Sequence, residues 1–595
     1  MHQHQREAAL ALQRAGRLSE AEAAYRALLA QDPRDADALH LLGLARQQSG
    51  DAREGEAFIR GAIAIRDAAV FHLNLGTLLL AGRREGEAEG EYRCALALDP
   101  AMVDAARRLG ALLIGAGRPG EVEGALTPTF AAHPHDADVL TMVAVARMRT
   151  GDNAGAEAAF RSAIAAQPRP GNLRYNLGTL LDRQKRSGEA EAEFRAAIAL
   201  TPEHVEAHFN LGNLLMKSDR LDEARSCFEA ALRLRPDYAD ARFNLGLLQV
   251  EQDQTDAAEA SFRTVLSAAP DRPDARLALG TLLLRRGDYA NGWPLYEARS
   301  EGELRENFNL LPDVPYPRWR GEDLTGKSLL LWPEQGYGDA IQFARFAREL
   351  KRRGLARLTL GCHAPLAPLF VGLDGVDEVV TSGMAIAAHD YWSLPLSLPL
   401  HLGMRLHSVP AVLPYLRASP ALVERWRPRA ASKGFRVGLA WRGAAIHGND
   451  ARRSLPSLDA LRPLWRVPGV EFVALQKGEG EEEARAAAAE GRLADLGSDC
   501  VDFADTAAVV HHLDLVIAVD TAVAHLTGAM GKPCWILLPA QQTDWRWLER
   551  RVDSPWYPNV VRLFRQAQGQ GWAPTVDAVA TALHALDRRR VRRLP

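Results

Sequence analysis

Across the first half of the chain, apolar and small residues recur with a period of 34 residues. Leu and Gly stand together at Leu75-Gly76, Leu109-Gly110, Leu177-Gly178, Leu211-Gly212, Leu245-Gly246 and Leu279-Gly280. Proline keeps the same register at Pro100, Pro134, Pro168, Pro202, Pro236 and Pro270, and phenylalanine at Phe160, Phe194, Phe228 and Phe262. Self-similarity at this spacing predicts stacked helix pairs. Within one unit, Tyr175-Asn176-Leu177-Gly178-Thr179-Leu180-Leu181 places its apolar residues at helical spacing. Gly178 is expected where a partner helix comes close, as glycine allows. Phe194, in a second helix opening near Ser187, is expected to fill the gap between the two. Pro202 suits the entry to the next unit, where a fixed φ is useful. Counting the glycine position in both directions gives about nine units between residues 2 and 300, with one register slip between Gly43 and Gly76.

After residue 300 the period stops. Pro312, Pro315 and Pro317 mark a proline-rich connector. Beyond it, short apolar runs alternate with helical patterns. Strands are predicted at 327–332, 358–361, 376–380 and 391–394, with a helix over 340–353. A second set is predicted at 435–441, 470–475, 515–519 and 533–538, with a helix opening near Leu455. Near-continuous apolar strands between helices indicate parallel sheets covered on both faces. The predicted fold class is an α-solenoid over 1–303, a connector over 304–326, and an α/β region of two Rossmann-like units, 327–418 and 419–595.

Charge and cysteine usage narrow the function classes. Charged residues make up 25% and the formal net charge is −3, which carries no bias toward nucleic acid or membrane. The basic run Arg588, Arg589, Arg590, Arg592, Arg593 reads as a solvated helix end. Five widely spaced cysteines without a C-x-x-C point away from disulfides and zinc and toward a reducing cytoplasm. The N-terminus lacks the apolar run of a signal peptide. The apolar stretch 513–539 is interrupted by Asp514, Asp520, His525 and Lys532, so it reads as a buried strand–helix–strand and no transmembrane segment is expected. Asp35-Ala36-Asp37 and Asp136-Ala137-Asp138 fall at turns between units and read as helix N-caps, so no metal is expected there. Neither G-x-G-x-x-G nor G-x-x-x-x-G-K-[ST] follows a first strand, which weighs against the common dinucleotide and P-loop readings.

The repeated units resemble the tetratricopeptide repeat. That resemblance implies a concave face holding a protein acceptor in extended form. Asn176, Asn210 and Asn244 recur on the first helix and are candidates to bond such an acceptor, or alternatively to satisfy neighbouring helices. In the second half, the segment from Asp520-Thr521-Ala522-Val523-Ala524-His525 to Gly531-Lys532-Pro533 resembles the donor-binding segment of the ADP-heptose lipopolysaccharide heptosyltransferases. Trp441-Arg442-Gly443 with Asn449-Asp450-Ala451-Arg452-Arg453-Ser454 resembles the loop after the first strand of their donor domain, and Gly338-Asp339 the turn after their first strand. The resemblance implies the GT-B fold, a nucleotide sugar as substrate, and neither metal nor cofactor. A tetratricopeptide solenoid joined to such a domain is similar in layout to protein O-GlcNAc transferases and to bacterial flagellin glycosyltransferases. The first α/β unit is shorter than a heptosyltransferase acceptor domain, which weighs against a lipopolysaccharide acceptor.

Glycosyl transfer needs a stabilised leaving phosphate, a base for the acceptor hydroxyl, and alignment of the two. Asp520, Thr521 and Ala522 close a strand and open a helix, a place where N–H groups and the helix dipole favour phosphate, or where Asp520 or Thr521 merely caps the helix. His525, one turn on, is expected to face the ligand and is a catalytic candidate, or else to pack against its neighbours. Arg442 and either Arg452 or Arg453 are expected to neutralise the leaving group, with Lys477 beside the nucleotide. Asp544 is expected to hold sugar hydroxyls, and Trp545 either stacks on a ring or packs in the core. Asp339 is the candidate base, by resemblance, or else a first-turn helix residue. Gly336 and Gly338 let backbone approach the acceptor. Glu334, Gln335 and His447 are alternative bases. Three readings follow: a protein glycosyltransferase acting on Ser/Thr hydroxyls, a polysaccharide or lipopolysaccharide glycosyltransferase, and a non-catalytic repeat adaptor.

Overall fold

The structure, a computed structural model, describes residues 2–167, 170–302, 304, 311–444 and 449–586. Pro168, His447 and the Arg588–Arg593 cluster lie outside the described residues. The chain forms two compact units, Met1–Ala241 and Arg242–Pro595.

The first unit is built of helix pairs, from His2–Arg14 with Leu18–Gln31 to Val205–Lys217 with Leu221–Leu234. The glycine-to-aromatic spacing seen in the sequence is a physical contact. A Cβ at Gly178 would lie 2.8 Å from Phe194 Cδ1, one at Gly212 2.7 Å from Phe228 Cε1, and one at Gly76 2.7 Å from Tyr92 Cε1. These first helices therefore touch their partners through a position that admits no side chain. The register slip sits in a turn: residues 66–68 join two helices where 201–204 join the later pair. Asp35 accepts the Ala38 N–H at 3.0 Å, and Asp136 accepts those of Asp138 and Val139 at 3.0 Å, so both D-x-D motifs are N-caps. Asn210 Nδ2 donates to the Tyr175 hydroxyl of the preceding pair at 3.2 Å, and Asn176 is half-buried. An arginine ladder that the apolar pattern does not reveal runs along the second helices. Arg84 pairs with Glu56 (2.7 Å), Arg118 with Glu89 (2.8 Å), Arg186 with Glu157 (2.6 Å) and Arg220 with Glu191 (2.8 Å).

The second unit begins at Arg242, inside the repeats. The helices Ala239–Glu251, Thr255–Ala268, Pro273–Arg286 and Tyr289–Tyr296 continue the pattern. A Cβ at Gly246 would lie 2.6 Å from Phe262 Cε1, and one at Gly280 2.7 Å from the Tyr296 N. Asn244 is half-buried on the first of these helices. The last pair is continuous with the α/β core: Tyr289, Trp293 and Tyr296 are buried in one cluster with Trp545 and Trp556. The described end of the expected connector, residues 311–326, is also part of the body. The Trp319 N–H donates to the Trp392 carbonyl at 2.7 Å, the Trp392 N–H to the Pro317 carbonyl at 3.1 Å, and Trp319 is buried.

Two parallel sheets follow. β1 (Ser328–Leu331), β2 (Arg357–Gly361), β3 (Glu378–Val380) and β4 (Tyr391–Ser393) lie in the order β3-β2-β1-β4. β5 (Phe435–Ala440), β6 (Val470–Ala474), β7 (Ala494–Asp495), β8 (Leu515–Val519), β9 (Cys534–Leu538) and β10 (Val561–Arg565) lie in the order β10-β9-β8-β5-β6-β7. Numbered within itself, the second sheet has the 3-2-1-4-5-6 order of doubly wound folds, and the first has its 3-2-1-4 part. β7 and β10 escape the sequence reading because one is two residues long and the other is an edge strand with Arg562 exposed. The helix expected over 340–353 is two, Tyr337–Phe343 and Phe346–Arg352. Between them Arg345 turns inward and donates to the carbonyls of Pro410 (3.1 Å) and Trp556 (2.6 Å). Near Leu455 the helix is a 3-10 segment, Leu458–Arg466.

Candidate functional site

In an open parallel sheet, a crevice forms at the carboxyl ends of the strands where the order reverses. In the first sheet that point lies between β1 and β4, and in the second between β5 and β8. The loops leaving β1 and β8 meet. The Tyr337–Phe343 helix follows β1, and the Ala522–Ala529 helix follows β8. A Cβ at Gly338 would lie 2.8 Å from His525 Cδ2, so only glycine lets these helices approach. Asp339 and the Asp520–His525 segment are thereby brought to one place.

Asp339 stands in the first turn of its helix. Its Oδ2 accepts the Gly336 N–H at 3.0 Å, the contact of a capping residue. Its other oxygen pairs with the Arg546 guanidinium, which comes from the loop after β9. Burial raises the Asp339 pKa, Arg546 opposes the rise, and the Asp544 charge adds to it. Arg546 also pairs with Asp544 at 2.6 Å and lies 4.7 Å from the Trp545 ring centroid. Asp520 is pushed up to about 6, chiefly by burial and then by Asp544, while the Trp547 indole, Arg546 and Arg453 hold it back. The Trp547 N–H completes no hydrogen bond among the described residues.

His525 is buried and stacks on Trp547, with ring centroids 5.2 Å apart. Burial, then the charges of Arg546, Arg345 and Arg453, push its pKa well below the usual histidine value, so the ring is neutral. Its Nδ1 lies 2.8 Å from the Tyr557 hydroxyl, and its Nε2 lies 3.8 Å from Asp520 Oδ1. Burial holds the Tyr557 phenol protonated. Where Tyr557 donates to Nδ1, the imidazole proton sits on Nε2, on the side of Asp520. Thr521 Oγ1 is buried without a hydrogen-bond partner among the described residues, and Ala522 begins the helix beside it.

The basic candidates divide. Arg453 is the arginine whose charge reaches Asp520 and His525, and it is held by Asp450 at 3.2 Å. Arg452 pairs instead with Glu251 of the repeat helix at 2.7 Å. Lys477 donates to the Ser498 carbonyl at 2.9 Å and lies 3.6 Å from Glu481. Arg442 reaches Glu479 (3.3 Å), Glu483 (3.4 Å) and the Pro456 carbonyl. It lines a cavity of about 320 Å³ with Asp450, Ser454, Leu455 and Trp572. Trp545 is buried against Trp293 and Tyr296, which makes it a core residue.

Glu334 and Gln335 belong to the scaffold. Glu334 is 4% exposed, pairs with Arg299 at 3.0 Å, and accepts the Leu396 N–H at 2.7 Å. Arg299, fully buried, also donates to Ser397 Oγ at 2.9 Å and pairs with Glu297 at 2.7 Å. Arg318 pairs with Glu297 at 2.9 Å, so two arginines and two glutamates fill the β1–β4 crevice and balance in charge. Gln335 Nε2 lies 3.4 Å from the Tyr296 hydroxyl. Arg546, Tyr557 and Arg299 were not singled out by the sequence. Arg546 carried one signal, its place between two tryptophans in Asp544-Trp545-Arg546-Trp547 at the end of a strand.

The repeats match known sequence families. A tetratricopeptide-repeat family model matches residues 6–70, 108–172, 141–205 and 175–239, and a second matches 211–282. Protein FlbA of Caulobacter vibrioides is 31% identical over 327 residues, which are 51% of this chain and 53% of that protein. The chain thus spans about half the length of this curated relative. Among solved structures, the APC/C hetero-tetramer Cut9–Hcn1 is 19% identical, covering 46% of this chain and 54% of that one, with a TM-score of 0.35. The Pseudomonas aeruginosa pilF structure is 21% identical, covering 33% and 90%, with a TM-score of 0.32. The chain carries tetratricopeptide repeats in its N-terminal part and parallel α/β sheets in its C-terminal part. Among the described residues, no helix is long and apolar enough to cross a membrane, and no cluster of three His, Cys, Asp or Glu could hold a metal ion. The five cysteines are free thiols.

Proposed function

We propose that the α/β body is a GT-B-type glycosyltransferase that moves a sugar from a nucleotide-sugar donor to Ser or Thr hydroxyls of a protein recruited by the repeats. The observation that carries this reading is the convergence of Asp339 from one sheet with Asp520, Thr521 and His525 from the other at their carboxyl edges. The acceptor hydroxyl attacks the anomeric carbon and passes its proton to Asp339 as the bond to the donor phosphate breaks. The leaving phosphate takes the bonding electrons. Thr521 Oγ1, the start of the Ala522–Ala529 helix and Arg453 face the position where that charge grows. The Asp339 carboxylate keeps lone pairs beyond those used by Gly336 and Arg546, so it can still accept a proton. Arg442 and its cavity lie on the same sheet edge, after β5, and suit the nucleoside.

A thermal-shift panel of UDP, GDP, ADP, CMP and CDP on the whole chain tests the donor side. One of these should stabilise the protein by an amount set by its affinity. Thr521→Ala should weaken that ligand by about 1–3 kcal/mol, the scale of a hydrogen bond to a charged group. EDTA should leave the shift unchanged. Absence of any stabilisation, or a shift that Thr521→Ala leaves intact, contradicts the assignment of the donor site.

A further inference from the structure

Arg546 is the residue of the site whose place neither the motif nor the fold explains. It is 6% exposed, and it comes from the loop after β9 in the second sheet. It reaches across the crevice to Asp339 on the helix after β1 in the first sheet. Its own position is fixed on two sides. Asp544 holds Nη1 at 2.6 Å, and the Trp545 ring lies beneath the guanidinium at 4.7 Å. That ring is in turn packed on Trp293, with centroids 5.1 Å apart. A planar guanidinium held this way presents a fixed fork, which a lysine ammonium cannot.

Resting on the general-base reading of Asp339, we propose that Arg546 is a positioning residue: it fixes the Asp339 carboxylate across the crevice and keeps it ionised, so that the base is assembled only from both sheets together. The groups facing Asp339 support this. On its own element there is the Gly336 N–H. From the β9 loop come the Arg546 cation and the Asp544 anion. From the β8 side comes His525, which is neutral and packed on Gly338, with Asp520 behind it. Arg546 is thus the cation that opposes both the burial of Asp339 and the Asp544 charge. Without it the carboxyl would hold its proton to higher pH, and a protonated acid cannot serve as a base.

The test is the titration of Asp339 in the whole chain, followed by the ¹³C signal of labelled aspartate and assigned with Asp339→Asn. Arg546→Gln should move the midpoint upward by about one unit or more, the scale of losing a close opposite charge. Asp544→Asn, which removes the competing anion and keeps an amide oxygen to accept from Arg546, should move it downward and keeps the test available should Arg546→Gln not fold. A midpoint unmoved in a folded Arg546→Gln protein, or one that Asp544→Asn raises, overturns the proposal. Turnover with the nucleotide sugar found by the panel separates this from the function itself. If the midpoint moves as expected but Asp339→Asn keeps full turnover, the ion pair stands and the general-base reading falls.

Discussion

At the scale of single residues, the site gathers three carboxylates, Asp339, Asp520 and Asp544, around one buried arginine, with a neutral histidine beside them. Such crowding has a thermodynamic signature. Asp520 titrates near 6 in the folded chain, above the ordinary carboxylate value of about 3.9. Below about pH 3, well under the unfolded value, it is protonated in both folded and unfolded chains and contributes nothing. Between about pH 4 and about pH 6 the unfolded chain ionises while the folded one keeps its proton, so the folded state loses stability across that window. Asp520→Asn should therefore raise Tm at about pH 8 and leave it nearly unchanged at about pH 3. An equal effect at both pH values would show that Asp520 is not held in this environment. The motif residues were legible one by one in the sequence, but their partners were not. Asp520, Thr521 and His525 are close in sequence, whereas Arg546 meets Asp339 only through the contact of two sheets.

At the scale of elements, the repeats were read nearly in full because each is a local object. The glycine of a first helix and the aromatic of the second are sixteen residues apart, and the turn between them is short, so the period reports a contact directly. Gly212→Ala would place a methyl 2.7 Å from the Phe228 ring, and the cost should be about 1–3 kcal/mol, the range for overpacking. Gly188→Ala, where a Cβ meets nothing within 4 Å, should instead be neutral or mildly stabilising. Chemical denaturation of the two variants compares them, and equal destabilisation would remove close packing as the reason for the conserved spacing within this chain. The elements that the sequence missed, β7 and β10, are short or at an edge, where the burial pattern is incomplete. The arginine ladder was missed for a different reason. It lies on the polar face, where the apolar period carries no signal, and such exposed pairs each contribute little.

At the scale of the molecule, composition and period mark where the repeat pattern ends but not how the chain divides into compact units. The period continues to residue 300, yet the compact boundary falls at Ala241, because the last helices bury Tyr289, Trp293, Tyr296 and Arg299 in the α/β core. No local pattern marks that change. A fragment of residues 242–595 should fold, whereas one of residues 306–595 leaves Glu334 buried without Arg299. Losing one partner of a buried pair costs about 3–5 kcal/mol, so the shorter fragment should show a much lower Tm or fail to fold. Equal stability of the two fragments would return the boundary to the end of the repeats. The central claim, transfer of a sugar to a protein, is tested most directly by mass spectrometry. The whole chain is incubated with the nucleotide sugar found by the panel and an extract of its source cells, beside the Asp339→Asn variant. The account predicts a hexose-sized or related mass increment on Ser or Thr residues of an extract protein with the native chain, and its loss with Asp339→Asn. Label that appears only in polysaccharide or lipid, or protein modification that persists undiminished in Asp339→Asn, would contradict it.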